Sequence, residues 1–382
     1  MDLSAIPILD HHCHTIRRAT APLFGDDFRR FFAETTDPRM PAHIRHTVFY
    51  MRMLRDVARL FGCAPTEDAL LDLRANMLPD QYARRLFDAG NFRALLVDTG
   101  FRGPESYENA ELSALVGRPV ETIVRLETRM EELIAASATL AHVEEALRDE
   151  VRTARARGVV GLKSIAAYRG GLHVLPRSFD EAAAAFAGLK EIVRREGRVR
   201  LADRAVLDYL LRAALEEAAA HELPVQFHVA FGDDDADLRT ANPLQLRALL
   251  TDPRFQRVPF VLLHCYPYVR EAGYLAALYA HVYIDVSLAV PLTAHGCTAA
   301  FAEALELAPI SKLLFATDAH SVPELFYAGA LHGRRGLAQA LERLVSDDIL
   351  DTAQVEDAAE AILWRNAAGL YGVVLPGFLM IC

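Results

Sequence analysis

Eight short runs rich in leucine and β-branched residues recur along the chain, and alanine-, glutamate- and arginine-rich segments separate most of them. The runs are Ile6–Asp10, Ala94–Asp98, Thr122–Arg125, Val159–Lys163, Pro224–His228, Phe260–His264, Val282–Val286 and Lys312–Asp318. Apolar spacing predicts helices over Glu127–Arg157, Phe179–Glu196, Arg204–His221, Pro243–Leu250 and Val269–His281. Strand alternating with helix implies right-handed βαβ units and a parallel sheet. Eight such units predict an α/β fold, the closed (β/α)8 TIM barrel, with residues 1–382 as a single domain.

One interval breaks the alternation. Met40–Phe61 and Glu67–Phe87 both read as helices, so a helical insertion is expected over about 25–90, serving as a lid or an oligomer surface. A last helix, Val355–Tyr371, is expected to close the barrel, and the apolar tail Val373–Cys382 to pack on a surface or a partner. An open doubly wound sheet is the structural alternative, but no Gly-x-Gly-x-x-Gly follows any run and no phosphate loop of the Gly-x-x-x-x-Gly-Lys-Ser/Thr type occurs.

Composition narrows the function. A net charge of −10 without a polybasic stripe argues against a nucleic-acid partner. No 18-residue apolar run and no charged leader with an apolar core occur, so no membrane partner and a cytoplasmic location are expected. Cys13, Cys63, Cys265, Cys297 and Cys382 are odd in number and form no Cys-x-x-Cys pair, which argues against a disulfide framework or a thiolate zinc knuckle. Cys13 and Cys265 are expected to face the layer between barrel and helices as small hydrophobes.

The chemistry-bearing residues fall at the ends of the runs. His12 and His14, two apart on a strand, would share a face and converge on one point, as a metal half-site does. Asp10 would lie on that face one step deeper, and His11 on the opposite face. Lys163 ends the fourth run, His228 the fifth, His264 the sixth and Asp318 the eighth. In a parallel barrel all these ends meet on one side, where barrel enzymes build their sites. Singly, each has a plain structural explanation: a core histidine, a strand-end lysine, a helix N-cap. Together they predict a cage.

Around it, Arg125, Tyr168, Arg169 and Tyr266 lie at or just beyond strand ends and could hold a substrate, an arginine there suiting a carboxylate or forming a rim salt bridge. Asp98 could orient a ligand. His173, His295 and His320 read as surface or supporting residues. The run Asp233–Asp237 lacks the spacing of a calcium loop and reads as a solvated segment near the mouth.

Asp10-x-His12-x-His14, Lys163, His228, His264 and Asp318, in this order on these strands, resemble the amidohydrolase superfamily of metal-dependent barrel hydrolases, over nearly the whole chain. The phrases Gly161-Leu-Lys163-Ser-Ile-Ala-Ala-Tyr168-Arg169 and Leu262-Leu-His264-Cys-Tyr266-Pro also look like the branch whose hydrolase-like half is fused to glutamine-synthetase-like domains in plant and fungal proteins. The resemblance implies that His12, His14 and Asp318 hold one divalent ion and that His228 and His264 hold a second, with a carboxylated Lys163 bridging them. A desolvated lysine near cations loses its proton readily, and its amine can then add carbon dioxide. One or two ions, zinc foremost, would bring water's pKa toward neutrality, and Asp318 would take the proton and pass it to the leaving group. The implied reaction is hydrolysis of an amide of a small molecule, which Arg125 and Arg169 suggest is acidic.

Two other readings remain open. A mononuclear decarboxylase or isomerase of the same superfamily would use His12, His14, His228 and Asp318 without a bridging lysine. A non-catalytic barrel would show decay of the ligand set, and none is visible. A homo-oligomer is compatible with all three.

Overall fold

The computed structural model describes residues 1–18, 23–103 and 105–375. Seven parallel strands form one curled sheet in chain order: β1 (Ile8–Cys13), β2 (Phe92–Asp98), β3 (Val120–Arg125), β4 (Val159–Ser164), β5 (Val225–His228), β6 (Phe260–Leu263) and β7 (Val282–Ile284). Helices lie in every interval between consecutive strands, a single one in the β2–β3 crossing, Asn109–Val116, and in the β6–β7 crossing, Val269–Leu278, so that all strand ends point the same way. Register sets side-chain neighbours at that end: Arg125 pairs with Lys163 and His228 with Leu263.

The expected eighth strand is not a regular one. Leu314 N–H donates to Ile284 O of β7, while Phe315 O and His12 O exchange hydrogen bonds with His11 N and Asp318 N, so residues 313–319 lie between β7 and β1. Two features interrupt a ladder there. Thr317 N–H is taken by the Asp10 side chain instead of a backbone carbonyl, and Asp318 has φ +53°, outside the β region.

Two apolar layers flank the sheet. Leu9, Ala94, Leu96, Ile123, Val261, Leu263 and Leu314 pack inside it, sealed below by Trp364, Ala367, Ala368 and Tyr371. The outer faces pack on the helices in a much larger cluster. The final helical stretch therefore closes the floor as expected, although it runs as Thr352–Glu360, a π turn at Ala361–Arg365, and Asn366–Tyr371. Val373 and Leu375 join this layer, and residues 376–382 lie outside the described residues.

Between β1 and β2 the chain is helical, but the two long helices read from apolar spacing are each broken. Met40–Phe61 divides into Pro41–Ile44 and Val48–Phe61, where Thr47 caps the second helix by accepting from Tyr50 N. Glu67–Phe87 divides at Met77 and Leu78, ahead of Pro79 at the start of Pro79–Ala89. Glu127–Arg157 likewise splits into Leu126–Ala136 and Leu140–Arg152, the second capped by Thr139. Capping side chains override a continuous apolar stripe. No helix among the described residues is long and apolar enough to cross a membrane.

The 24-residue helix Pro323–Ser346 sets the position of the segment that carries Asp318. Its Gly329, Gly333 and Gly336 press against Thr317, Phe315 and Cys297, where a Cβ at Gly329 would lie 2.8 Å from Thr317 Cγ2 and one at Gly333 would enter the Phe315 ring. Alanine would gain about 1 kcal/mol in helix propensity. Overpacking against a fully buried ring typically costs about 1–3 kcal/mol. Gly333→Ala is therefore expected to lower the urea midpoint, whereas alanine at Gly188, where no atom stands nearby, is expected to raise or hold it.

Candidate functional site

β1 ends in Asp10-His-His12-Cys-His14, and its pairing with β2 slips between Asp10 and Cys13. This slip changes which side chains face inward. Alternation counted from His12 and His14 turns His11 away from the site, but His11 continues the inward face of Leu9 and lies in the floor beneath the site, stacked on Tyr371 at 5.9 Å with Nε2 2.9 Å from Asp285 Oδ2. His12 and His14 reach the site above. Asp10, fully buried, accepts hydrogen bonds from Thr317 N and Oγ1 and so ties β1 to the residue before Asp318. Burial pushes its carboxyl up to about 7.

The six expected cage residues come together. His12 Nε2 lies 2.9 Å from Lys163 Nζ and 3.0 Å from Asp318 Oδ1. His14 Nε2 lies 3.3 Å from the same oxygen, and His264 Nδ1 3.7 Å from Asp318 Oδ2. The His228 and His264 rings are 4.4 Å apart. His264 follows β6 instead of ending it and holds φ +73°, so both it and Asp318 sit in the left-handed region that residues other than glycine avoid. Such backbone persists where surrounding bonds over-determine it, and here it aims both side chains at one point.

Electrostatics follow from burial. Burial holds the Lys163 ammonium below its usual range, Asp98 opposing and Arg125 adding to the effect. His12 is held down to about 3 by burial and by Lys163, and burial lowers His228 and His264 too. Burial would raise Asp318, but His264, His12 and His14 around it hold it well below the carboxylate range. Burial thus favours neutral imidazoles at His12, His228 and His264 beside the Asp318 anion, which is the protonation state of metal ligands.

A divalent ion fits these residues. Asp318 Oδ1, His228 Nε2 and His264 Nε2 are buried and make no hydrogen bond, although His12 and His14 nitrogens crowd the Asp318 oxygen. Buried polar atoms that are close but unpaired are costly unless something else occupies the point they share. Ligand atoms of His12, His264 and Asp318, and of His12, His14 and Asp98, form two groups of metal-binding span. Mixed nitrogen and oxygen donors suit zinc, manganese, iron or nickel.

A cavity of about 350 Å³ opens above the cage, lined by His14, Lys163, His228 and Asp318 below and by Arg30, Glu34, Phe101, Arg125, Tyr168, Arg169, Asp233, Asp235 and His320 around it. Of the four expected substrate residues, three line it. Arg125 places two N–H groups on Asp98 Oδ2, at 3.0 and 2.6 Å, so the rim salt bridge read as its alternative is present. Tyr168 OH lies 3.3 Å from His228 Nδ1, and Arg169 pairs with Glu131 at 3.2 Å while its buried Nε has no partner. Tyr266 is exposed and outside the lining, because the turn after His264 carries it toward solvent. Gly232 passes so close that a Cβ would fall 2.7 Å from His228 Nε2. His320, read as a supporting residue, lines the wall with Nε2 3.7 Å from Glu34. Cys13 and Cys265 are buried with their thiols on Leu96 O and Leu262 O, away from the cage.

Supporting carboxylates were harder to read. Asp98, singled out for its strand-end position, contacts Lys163 at 3.4 Å and Arg125, and these cations hold it well below its usual range against the effect of burial. Asp285, Ser287 and Glu127 were missed. Asp285 follows β7 immediately, so the strand-end rule that found Lys163 could have found it. Glu127, fully buried, accepts from Ser164 Oγ and Ile165 N and fixes the turn that delivers Tyr168 and Arg169, a role with no local signature.

Comparison with known proteins finds relatives of the whole fold. The chain is 36% identical to a Lactobacillus casei protein described as a candidate metal-dependent hydrolase, whose crystal structure superposes with a TM-score of 0.88 over 97% of each chain. A uronate isomerase of Thermotoga maritima shares the fold at 13% identity, with a TM-score of 0.67 over 96% of this chain and 95% of that one. The chain is also 33% identical over 222 residues to the fluG protein of Emericella nidulans, which is 56% of this chain and 25% of that protein, so it spans about a quarter of that relative's length. A family model described as amidohydrolase matches residues 131–373. With more than half of its length under that model and a whole-chain relative above 30% identity, the chain belongs to the amidohydrolase family.

Proposed function

We propose that the chain hydrolyses an amide bond of a small, carboxylate-bearing molecule, using one or two divalent ions, zinc foremost, held by His12, His14, His228, His264 and Asp318, with Lys163 carboxylated between them. The observation that carries this reading is the set of buried, unpartnered ligand atoms of His228 and Asp318 at the floor of an open cavity, with that of His264 on the neighbouring ring. A bound divalent ion would supply Lewis acidity toward a carbonyl and bring a water's pKa near neutrality.

The chain's own groups do the rest. Asp318 is the anion nearest the convergence point and is placed to accept the attacking water's proton and return it to the departing amine. Arg169, with its free Nε, and Arg30 on the cavity wall suit a substrate carboxylate. Phe101, 5.0 Å from the His14 ring, and Tyr168 narrow the opening and displace water from the reacting carbonyl.

One contact favours the second reading, a mononuclear decarboxylase or isomerase. Lys163 Nζ lies 3.4 Å from the Asp98 carboxylate, which stabilises the protonated amine that cannot add carbon dioxide. A panel of N-acyl amino acids and γ-glutamyl amides, assayed for amine release with zinc-loaded protein, decides between them. Release from carboxylate-bearing amides, with a carbamate carbon signal after incubation in carbon-13 bicarbonate, supports hydrolysis. No release from any amide, with isomerised uronate or evolved carbon dioxide from acidic substrates instead, overturns it.

A further inference from the structure

Asp285, one residue past β7 and fully buried, directs a single oxygen at three donors. Its Oδ1 accepts from His264 N–H at 2.5 Å, Ser287 N–H at 3.0 Å and the Ser287 hydroxyl at 2.8 Å. An oxygen that takes three donors acts only as an acceptor. The one proton of Ser287 Oγ is therefore spent on Asp285, and the remaining contact of that hydroxyl, to His264 Nδ1 at 2.9 Å, must be one in which Oγ accepts. Nδ1 then carries the imidazole proton. Nε2 is left with its lone pair, and it is this nitrogen that is buried without a partner.

The same carboxylate oxygen also holds the backbone of His264 through its N–H, at the residue's φ of +73°. Backbone direction and ring tautomer of one cage residue thus depend on one anion. Below it, His11 Nε2 lies 2.9 Å from Asp285 Oδ2 in a poorly aligned contact. His11 Nδ1 is 3.4 Å from Tyr371 OH, which accepts from Gln226 Nε2, so the barrel floor braces the clamp from beneath.

We infer that Asp285 and Ser287 are positioning residues that preset His264 to bind an ion through Nε2 before any ion arrives. The inference rests on the reading of His264 as a metal ligand. Its test uses full-length protein stripped of metal by a chelator, with nitrogen-15 histidine spectra assigned through His264→Gln. The expected spectrum of the wild type has His264 Nδ1 protonated and Nε2 bare, and Ser287→Ala mixes the two tautomers.

Zinc affinity, measured against a competing chelator, is expected to fall on the order of 10–100-fold in Ser287→Ala and to recover in Ser287→Thr, which keeps the hydroxyl. The Tm of the metal-free Ser287→Ala protein is expected to stay near the wild-type value, as a merely structural serine would not allow. A protonated Nε2 in the wild type, or an unchanged zinc affinity in Ser287→Ala, overturns the inference. The tautomer is read without metal, so it decides the inference even if the wild type binds no zinc, a result that would instead overturn the proposed function.

Discussion

Asp318→Asn is expected to lower kcat on the amide cleaved by the wild type by about 10²–10⁴-fold, the range over which a positioned acid–base group acts. Asparagine keeps the shape and the left-handed backbone, which it tolerates better than most residues, but it has neither the charge to accept a proton nor the anion to bind a cation. The stability of the metal-free protein is expected to fall only modestly. Removing the anion relieves the desolvation cost of an oxygen that is buried without a hydrogen bond, but it also removes the charge that His264, His12 and His14 stabilise, so the two effects oppose each other. Kinetics and urea unfolding on the same preparation check both halves. A large loss of stability would instead identify Asp318 as a structural residue.

A second large effect is expected far from the cage. Asp56, on the helix Val48–Phe61, is 2% exposed and is met by Arg52 Nε at 2.9 Å, by Arg59 and Arg335 at 3.2 Å, and by His332 Nε2 at 3.2 Å. Arg335 and His332 belong to the helix Pro323–Ser346, so this one carboxylate docks the helices that follow β1 onto the helix that follows Asp318. Burial alone would raise its pKa, but His332, Arg335 and Arg52 bring it down to about 2.

A depressed carboxylate stabilises the fold above its unfolded pKa of about 3.9, and that stabilisation disappears as pH falls through the folded value. The shift corresponds to about 2–3 kcal/mol at neutral pH. Asp56→Ala, which also leaves His332 without its partner, is expected to cost about 2–4 kcal/mol at pH 7. The difference from wild type should shrink as the pH falls from about 4 to about 2. Urea titrations at these pH values measure it, and a pH-independent difference would show that packing, not charge, carries the effect.

Much of the site was legible in the sequence because barrel topology converts a position along a strand into a position in space. Lys163, His228 and His264 share no local pattern, yet each ends an apolar run, and parallel strands bring such ends to one face. The floor of the site was not legible in the same way. His11 follows the inward face of Leu9, and His12 and His14 reach the same side beyond the slip of β1 against β2; a register slip leaves no mark on a pattern of alternating residues. Arg125 illustrates a different difficulty. Its place at the end of β3 was readable, but whether its guanidinium faces a substrate or Asp98 depends on a neighbour twenty-seven residues earlier in the chain.

The eighth strand shows how a correct position can carry an incorrect conformation. Lys312–Asp318 has the apolar composition of a strand and lies where one is needed, between β7 and β1. Asp10 intervenes with a side-chain acceptor for Thr317, and the left-handed turn at Asp318 trades ladder regularity for the aim of a ligand. Helix boundaries failed for a simpler reason: Thr47, Thr139 and the Leu78–Pro79 step end and restart helices within stripes that periodicity alone reads as continuous.

The most direct measurement of the central claim is zinc bound per chain by equilibrium dialysis, for the wild type and for His12→Ala. One or two tightly held equivalents are expected in the wild type and the loss of at least one in the variant, with the fold intact by circular dichroism. A wild-type chain that holds no divalent ion, or a His12→Ala chain that holds as many as the wild type, would contradict it.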